Sequence, residues 1–375
     1  MKKITIAIDS FKGSLSSREA ADHFERGFRQ VAPACCVRKV VIADGGEGTV
    51  DAFVDTLNGE YIKLTVSDPL DRPVTARYGI IDNGSTAIIE MAAASGLTLL
   101  SAEERNPWLT STYGTGEIIA DALGRGCRKF LVGIGGSATN DGGTGMLRAL
   151  GFKFLDATGR ELIGGGEILE KIATIEPSTM EGLHEAEFIV ACDVTNTLYG
   201  ELGAAHVFAP QKGADAAMVE RLDRGLRNYA ARISAFNGSE VASLEGAGAA
   251  GGLGAGLCAL LGARLERGID MILQAMHFDE IIEGCDLVIT GEGRIDQQTV
   301  MGKAPSGVLN AARRQNIPVI AVGGTVAWCD ELRESGFAAI VPIVEGSISL
   351  EEAMRPDVAA ANMERTAARI ARQHL

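Results

Sequence analysis

The stretch Ile4-Thr5-Ile6-Ala7-Ile8-Asp9-Ser10-Phe11-Lys12-Gly13-Ser14 decides the fold: a nearly unbroken apolar run gives way at once to a short polar loop holding a lysine and a glycine. An apolar run without alternation fits a strand covered on both faces, as in a parallel sheet. A helix should follow, because Ser16 and Glu19 have capping-box spacing and Phe24 and Phe28 continue an apolar stripe from Ala20. A second strand is expected over 37–42, ending in Asp44-Gly45-Gly46-Glu47-Gly48-Thr49.

The same alternation returns at the carboxyl end. Strands are expected over 287–290, 319–322 and 338–343, with helices over 306–314 and 330–334 and a last helix from about 350, interrupted near Pro356. Joined to the amino-terminal pieces, these give five strands alternating with helices, a doubly wound parallel α/β sheet. Roughly 240 residues separate the second strand from the third, far beyond a crossover connection, so the middle is expected to be an inserted α/β domain. The expected division is 1–68 with 286–375 for the first domain and 69–285 for the insert. Within the insert, strands are expected over 74–81, 86–91, 129–134 and 188–192, and helices over 116–123, 146–150, 216–233 and 254–261.

Composition narrows the function classes. Lys plus Arg minus Asp plus Glu is 35 − 49 = −14, a field that repels polyanions, so nucleic acid and anionic membrane are poor partners. The uncharged stretch 246–263 is rich in glycine and holds only four leucines, which is not the apolar payload of a membrane span. The apolar run at the amino end stops at Asp9, too short for a secretion signal. Seven cysteines without a CxxC read as reduced thiols, and a cytoplasmic location is expected.

Glycine is in excess, 47 of 375 residues, which points to special turns. The strand ends are expected to carry them: Asp9 to Ser14, Gly291-Glu292-Gly293-Arg294-Ile295-Asp296, and Gly323-Gly324-Thr325. Ligands of doubly wound sheets bind outside the strand carboxyl ends where strand order reverses, here between the first and third strands. Lys12 and the Glu292/Asp296 pair should therefore face one crevice. The insert has its own glycine loop, Gly135-Gly136-Ser137-Ala138-Thr139-Asn140-Asp141-Gly142-Gly143-Thr144-Gly145, between a strand and a helix. Backbone N–H groups and a helix amino terminus there suit an anion, phosphate above all.

Several chemistries are disfavoured. No GxxxxGK[ST] and no GxSxG occur, and His23, His184, His206, His277 and His374 have no metal or triad spacing. Gly246, Gly248 and Gly251 match GxGxxG, but no apolar strand precedes them, so a nicotinamide site lacks its context. What is left is loop carboxylates, Asp9, Asp44, Glu47, Asp141, Asp193, Glu292 and Asp296, beside Lys12, Lys212, Arg294 and Lys303. Asp193 ends the apolar run 188–192, a position that suits a base or a metal ligand. Anion-cradling loops, acids and point cations together are what phosphoryl transfer requires.

On six motifs the sequence resembles the glycerate kinase family of the bacterial two-domain type: Asp9-Ser-Phe-Lys-Gly-Ser14, Ala43-Asp-Gly-Gly-Glu-Gly-Thr49, Gly133-Ile-Gly-Gly-Ser-Ala-Thr-Asn-Asp-Gly-Gly143, Ala191-Cys-Asp-Val-Thr-Asn196, Pro210-Gln-Lys-Gly213 and Gly291-Glu-Gly-Arg-Ile-Asp296. Thr197 departs from the proline expected there. The resemblance implies a flavodoxin-like domain interrupted by a second α/β domain, and phosphorylation of glycerate by ATP with Mg²⁺, usually at the 2-hydroxyl. On that basis Asp193 and Lys12 are expected to be catalytic. Ser10, Ser137, Asn140 and Asp141 are expected to bind substrate, and Gly135, Gly136, Lys212, Gly293 and Lys303 the nucleotide or phosphate. Asp296 and Glu292 are expected to hold metal. The partners expected are glycerate and ATP, with the chain a monomer or homodimer. Competing readings are transfer to the 3-hydroxyl, another small hydroxy acid as acceptor, and a phosphometabolite-binding regulator without turnover.

Overall fold

The computed structural model describes residues 1–43, 45, 46, 48–344, 346 and 348–374. The chain divides into two compact units, Met1–Asp44 with Asp51–Leu57 and Gly268–Leu375, and Gly45–Val50 with Asn58–Arg267.

The first unit is built on one parallel five-stranded sheet in the order Ala339–Pro342, Val319–Val326, Leu287–Ile295, Lys3–Ile8, Cys36–Val41. Numbered along the chain, that order is 2-1-3-4-5, the flavodoxin-like arrangement, with its switch point between the first and third strands. Ile4, Ile6 and Ile8 are buried against Phe24, Phe28, Met363 and Ile370 from the flanking helices Ser17–Arg29 and Pro356–His374. These two helices approach so closely at Gly27 that a Cβ there would lie 2.1 Å from the Glu364 carbonyl oxygen. Ser16 caps the first of them and Glu19 answers its backbone N–H, the reciprocal box that the spacing predicts.

Two expectations change here. The motifs from Gly291 and from Gly323 are not loops: the third and fourth strands stay paired, Glu292 opposite Gly323 and Ile295 opposite Val326. Glycine serves close strand packing, since a Cβ on Gly291 would stand 2.2 Å from the Val322 carbonyl oxygen. The last helix breaks as expected, into Leu350–Ala353 and Pro356–His374.

The second unit holds a six-stranded sheet in the order Arg264–Glu266, Glu187–Ala191, Lys129–Gly133, Thr86–Glu90, Pro73–Ile81, Glu60–Ser67. Its first four strands run parallel and the last two are antiparallel. The insert therefore begins before the expected residue 69. Glu60–Ser67 alternates, with Ile62 and Val66 buried, and its partner is Pro73–Ile81 in the same unit. At the other side the insert ends earlier than 285, because the helix Gly268–Ala275 packs in the first unit, with Ile269 against Gly307. A separate antiparallel pair, Lys153–Leu155 with Thr174–Glu176, completes the insert. Among the described residues, no helix is long and apolar enough to cross a membrane.

Candidate functional site

In the second unit the strands Lys129–Gly133 and Glu187–Ala191 are parallel neighbours, with Gly133 opposite Ala191. Their carboxyl ends consequently launch two polar segments side by side: the glycine loop beginning at Ile134 and the segment Cys192-Asp193-Val194-Thr195-Asn196. A third segment binds them together. Gly248 N–H donates to the Asn196 carbonyl at 3.0 Å, and Gly142 N–H donates to the Gly251 carbonyl at 3.0 Å. Here the GxGxxG glycines have their use: Gly246 and Gly251 have φ of +81° and +72°, and a Cβ on Gly251 would lie 2.1 Å from the Thr139 carbonyl oxygen.

The glycine loop is organised around a buried carboxylate of its own. Asp141 is fully buried, and its Oδ2 accepts from Thr112 N–H at 2.8 Å, Thr112 Oγ1 at 2.8 Å and Gly145 N–H at 3.2 Å. Oδ1 accepts from Gly143 N–H at 3.0 Å. Thr112 Oγ1 itself accepts from Met146 N–H at 2.9 Å, so its proton points at Asp141. Burial pushes the Asp141 carboxyl up, and the hydrogen bonds from Thr112, Gly143 and Gly145 oppose that rise. Three backbone N–H groups can only donate, which matches a carboxylate.

The loop's own acid thus occupies part of the expected anion site. The helix after the loop, Thr144–Ala149, has six residues, and Asp141 takes its leading N–H groups. Asp141 and Asn140 are fully buried. Both side-chain polar atoms of Asn140, and Thr139 Oγ1, are buried without a protein partner. What the loop does present is Gly135 and Gly136, both exposed, with Gly136 at φ +74°, and Ser137 at 8% exposure.

Lys212, expected at the nucleotide or phosphate, ends the short turn Pro210–Lys212 and is 2% exposed. Its Nζ donates to Ser137 Oγ at 2.7 Å and to the Thr139 carbonyl at 2.6 Å. Burial pulls the ammonium down to about 7, against the nearby Asp141, which raises it. Asp193 is exposed in its segment.

In the first unit the Lys12 turn closes on itself: Phe11 N–H donates to the Leu15 carbonyl at 2.8 Å and Ser14 N–H to the Phe11 carbonyl at 2.8 Å. Gly13 takes φ +78° in this turn. Lys12 is exposed and Ser10 half-buried, its N–H donating to Asp9 Oδ1 at 2.6 Å. The turn lies against the third strand at Gly293, where a Cβ would sit 3.5 Å from Phe11 Cα and 3.7 Å from the Lys12 nitrogen. Lys12 and the Glu292 region thus share the switch-point edge, as the topology requires.

Glu292 is 8% exposed; its Oε1 accepts from Thr299 Oγ1 at 2.6 Å and its Oε2 stands 3.7 Å from Lys303 Nζ. Thr299 Oγ1 in turn accepts from Asp296 N–H at 3.0 Å. Asp296 caps Gln297–Val300 through Gln298 N–H at 2.9 Å and pairs with Arg294 at 3.0 Å. Among the described residues no group of three or more histidine, cysteine or acidic side chains is placed to hold a metal. Asp44 and Glu47 lie outside the described residues.

Sequence reading missed Thr112 and Thr299, the two hydroxyls that orient the buried acids. Neither stands in a motif, and only the partner's position marks it.

Comparison with known proteins gives a consistent picture. The Glycerate kinase family matches residues 4–375. The chain is 49% identical to a glycerate kinase of Bacillus subtilis (strain 168), over 98% of this chain and 97% of that one. It is 46% identical to a glycerate 2-kinase of Escherichia coli (strain K12), covering 94% and 93%. A solved structure from Salmonella typhimurium LT2, assigned to glycerate kinase 2, superposes with a TM-score of 0.90 at 45% identity, covering 99% of this chain and 97% of that one.

Proposed function

The chain belongs to the glycerate kinase family and is an ATP-dependent glycerate kinase, and we propose that it phosphorylates the 2-hydroxyl with the residues assigned below. The observation that supports the assignment most is the pairing of adjacent strand ends in the insert. They set the exposed Gly135–Gly136 backbone and Ser137 beside the segment carrying Asp193.

Glycerate's carboxylate calls for a cation and hydroxyl donors; Ser10 and Lys12 are the candidates in the first unit and Ser137 is the candidate in the second. Gly135 and Gly136 are assigned to phosphate as open backbone in the second unit, and Gly293 and Lys303 are phosphate candidates of the first, Lys303 as a point charge. Asp193 is assigned to the reacting side, as proton acceptor or metal ligand. Replacing it with asparagine is expected to lower kcat by about 100-fold or more, in the range typical of acid–base groups. Steady-state kinetics within a few-fold of the unaltered enzyme would remove Asp193 from the chemistry.

For Mg²⁺ the donors are of the right kind but already engaged. Mg²⁺ takes hard oxygens and commonly only one or two carboxylates beside phosphates and water. Glu292 is committed to Thr299 and Lys303, while Asp296 is less enclosed. Of this set Asp296 would hold a metal bound to the triphosphate, and Glu292 would hold that acid's loop through Thr299. When bound, such an ion neutralises charge on the phosphates. A cytoplasmic location is part of the same proposal, supported by seven free cysteines and by ATP as cosubstrate.

The test is ADP release by the purified chain with Mg·ATP and a panel of small hydroxy acids, with product regiochemistry read by phosphorus NMR. Expected are ADP with glycerate and a phosphoester at carbon 2. A carbon-3 ester would replace the regiochemistry, and absence of ADP with every acid would favour a binding protein.

A further inference from the structure

Among the described residues Lys212 is a buried amine without an ion-paired partner at bonding distance, and such a placement needs a reason. Its two hydrogen-bond partners are neutral, Ser137 Oγ at 2.7 Å and the Thr139 carbonyl at 2.6 Å. The carbonyl can only accept, so one amine proton is spent there in either protonation state. A hydroxyl can donate or accept. Toward Ser137 the charged amine can only donate, whereas the neutral amine has a lone pair that can accept the serine proton, so the proton between them can switch owner. Ser137, at 8% exposure against 2% for Lys212, is the more accessible of the pair, and the exposed Gly135–Gly136 backbone precedes it.

We propose that Ser137 and Lys212 form the proton-accepting pair of the kinase reaction, with Ser137 Oγ facing the acceptor hydroxyl and Lys212 Nζ as the final base. The proposal rests on the glycerate kinase reading and leaves Asp193 to the metal side. In the step, the glycerate oxygen forms a bond to the γ-phosphorus while the bond from that phosphorus to the β,γ-bridging oxygen breaks, its electron pair leaving with ADP. The hydroxyl proton passes to Ser137 Oγ, and the serine's own proton passes to the Nζ lone pair, giving an ammonium. After product leaves, the ammonium returns the proton through Ser137 to solvent.

The surroundings suit an amine that is neutral for part of the time near pH 7. Burial holds Lys212 at about 7, where a base is most effective near neutral pH. Asp141 raises it but is itself engaged by Thr112, Gly143 and Gly145. The Arg105 backbone packs on Gly213, and Tyr229 and Glu167 are both coupled to Asp141. Because the neutral amine is the active form, activity should fall as pH drops through about 7.

The experiment is the pH profile of kcat/KM for glycerate in the full chain, Lys212→Met, Ser137→Ala and the double variant, with circular dichroism to confirm folding. The unaltered enzyme should show an acid limb with its midpoint near 7. Each single variant should lose about 100-fold or more at pH 8 and lose that limb, and the double variant should be no worse than the singles, as for groups acting as a unit. An acid limb retained in Ser137→Ala, a loss below about ten-fold in that variant, or multiplicative losses in the double variant would each overturn the pair. If Lys212→Met does not fold, Ser137→Ala alone decides. A wild-type chain that releases ADP with glycerate but lacks the limb sinks the pair and spares the kinase reading; one that never releases ADP sinks the kinase reading itself.

Discussion

Asp141→Ala is expected to lower the melting temperature by about 10 °C, the largest stability effect we anticipate for any single substitution at the candidate site. Four hydrogen bonds converge on its carboxylate in a place without solvent, from Thr112 N–H, Thr112 Oγ1, Gly143 N–H and Gly145 N–H. Bonds to a charged acceptor contribute about 1.5–3 kcal/mol each, and donors left unsatisfied cost about 1–3 kcal/mol apiece. Those figures are not additive, and water entering the space restores part of the loss. A net cost of about 4 kcal/mol is a reasonable centre, and in a unit of this size each kcal/mol moves the midpoint by about 2–4 °C. Asp141→Asn should cost roughly half as much, since its carbonyl keeps the three donors on one oxygen while its amide opposes Gly143 N–H. Thermal melts followed by circular dichroism measure both, and equal stability of Asp141→Ala and the unaltered chain would show that the loop does not need its internal anion. Activity should fall with stability here, because Ser137 and Gly136 sit on the loop that Asp141 holds.

Lys12→Ala should behave in the opposite way, with kinetics damaged and stability spared. The Lys12 turn is closed by backbone bonds between Phe11, Ser14 and Leu15, and Phe11 and Leu15 anchor it in the core, so these bonds and contacts persist when the exposed lysine is shortened. An exposed substitution of this kind changes stability by about 0.5 kcal/mol or less. A cation aimed at charge that develops in a transition state is worth far more, about 100- to 1,000-fold in rate. We therefore expect kcat/KM for glycerate to fall by about that factor with a melting temperature within about 2 °C of the unaltered chain. Unchanged kinetics would remove Lys12 from the site. Lys12→Arg separates charge from shape, since a guanidinium keeps the charge but not the compact ammonium.

Much of the architecture is local in origin, and for that reason legible. The run from Ile4 to Ile8, the Ser16/Glu19 box and the Phe24/Phe28 stripe each describe one strand or one helix, and each is observed. Glu60–Ser67 carried an equally local signal, the alternation of Ile62, Leu64 and Val66, and its antiparallel pairing with Pro73–Ile81 is what moves the start of the insert. The motifs from Gly291 and Gly323 misled because glycine marks close approach of backbones as readily as it marks a turn.

From the sequence alone come the five-stranded doubly wound sheet, the presence of an insert, the anionic character that disfavours nucleic acid, and the loops that resemble those of glycerate kinases. Only the tertiary structure decides which of the motif residues meet solvent. Asp141 and Asp193 are both loop acids after apolar strands, yet one is fully buried under donors from a segment 29 residues away and the other is exposed. Lys212 reads in the sequence as one more loop cation, and only the fold shows that partners 75 and 73 residues distant enclose it. Periodicity and capping are set by neighbours along the chain, whereas burial of a charge is set by residues the chain brings back from far away, and burial is what turns an ordinary lysine into one able to give up its proton near neutral pH.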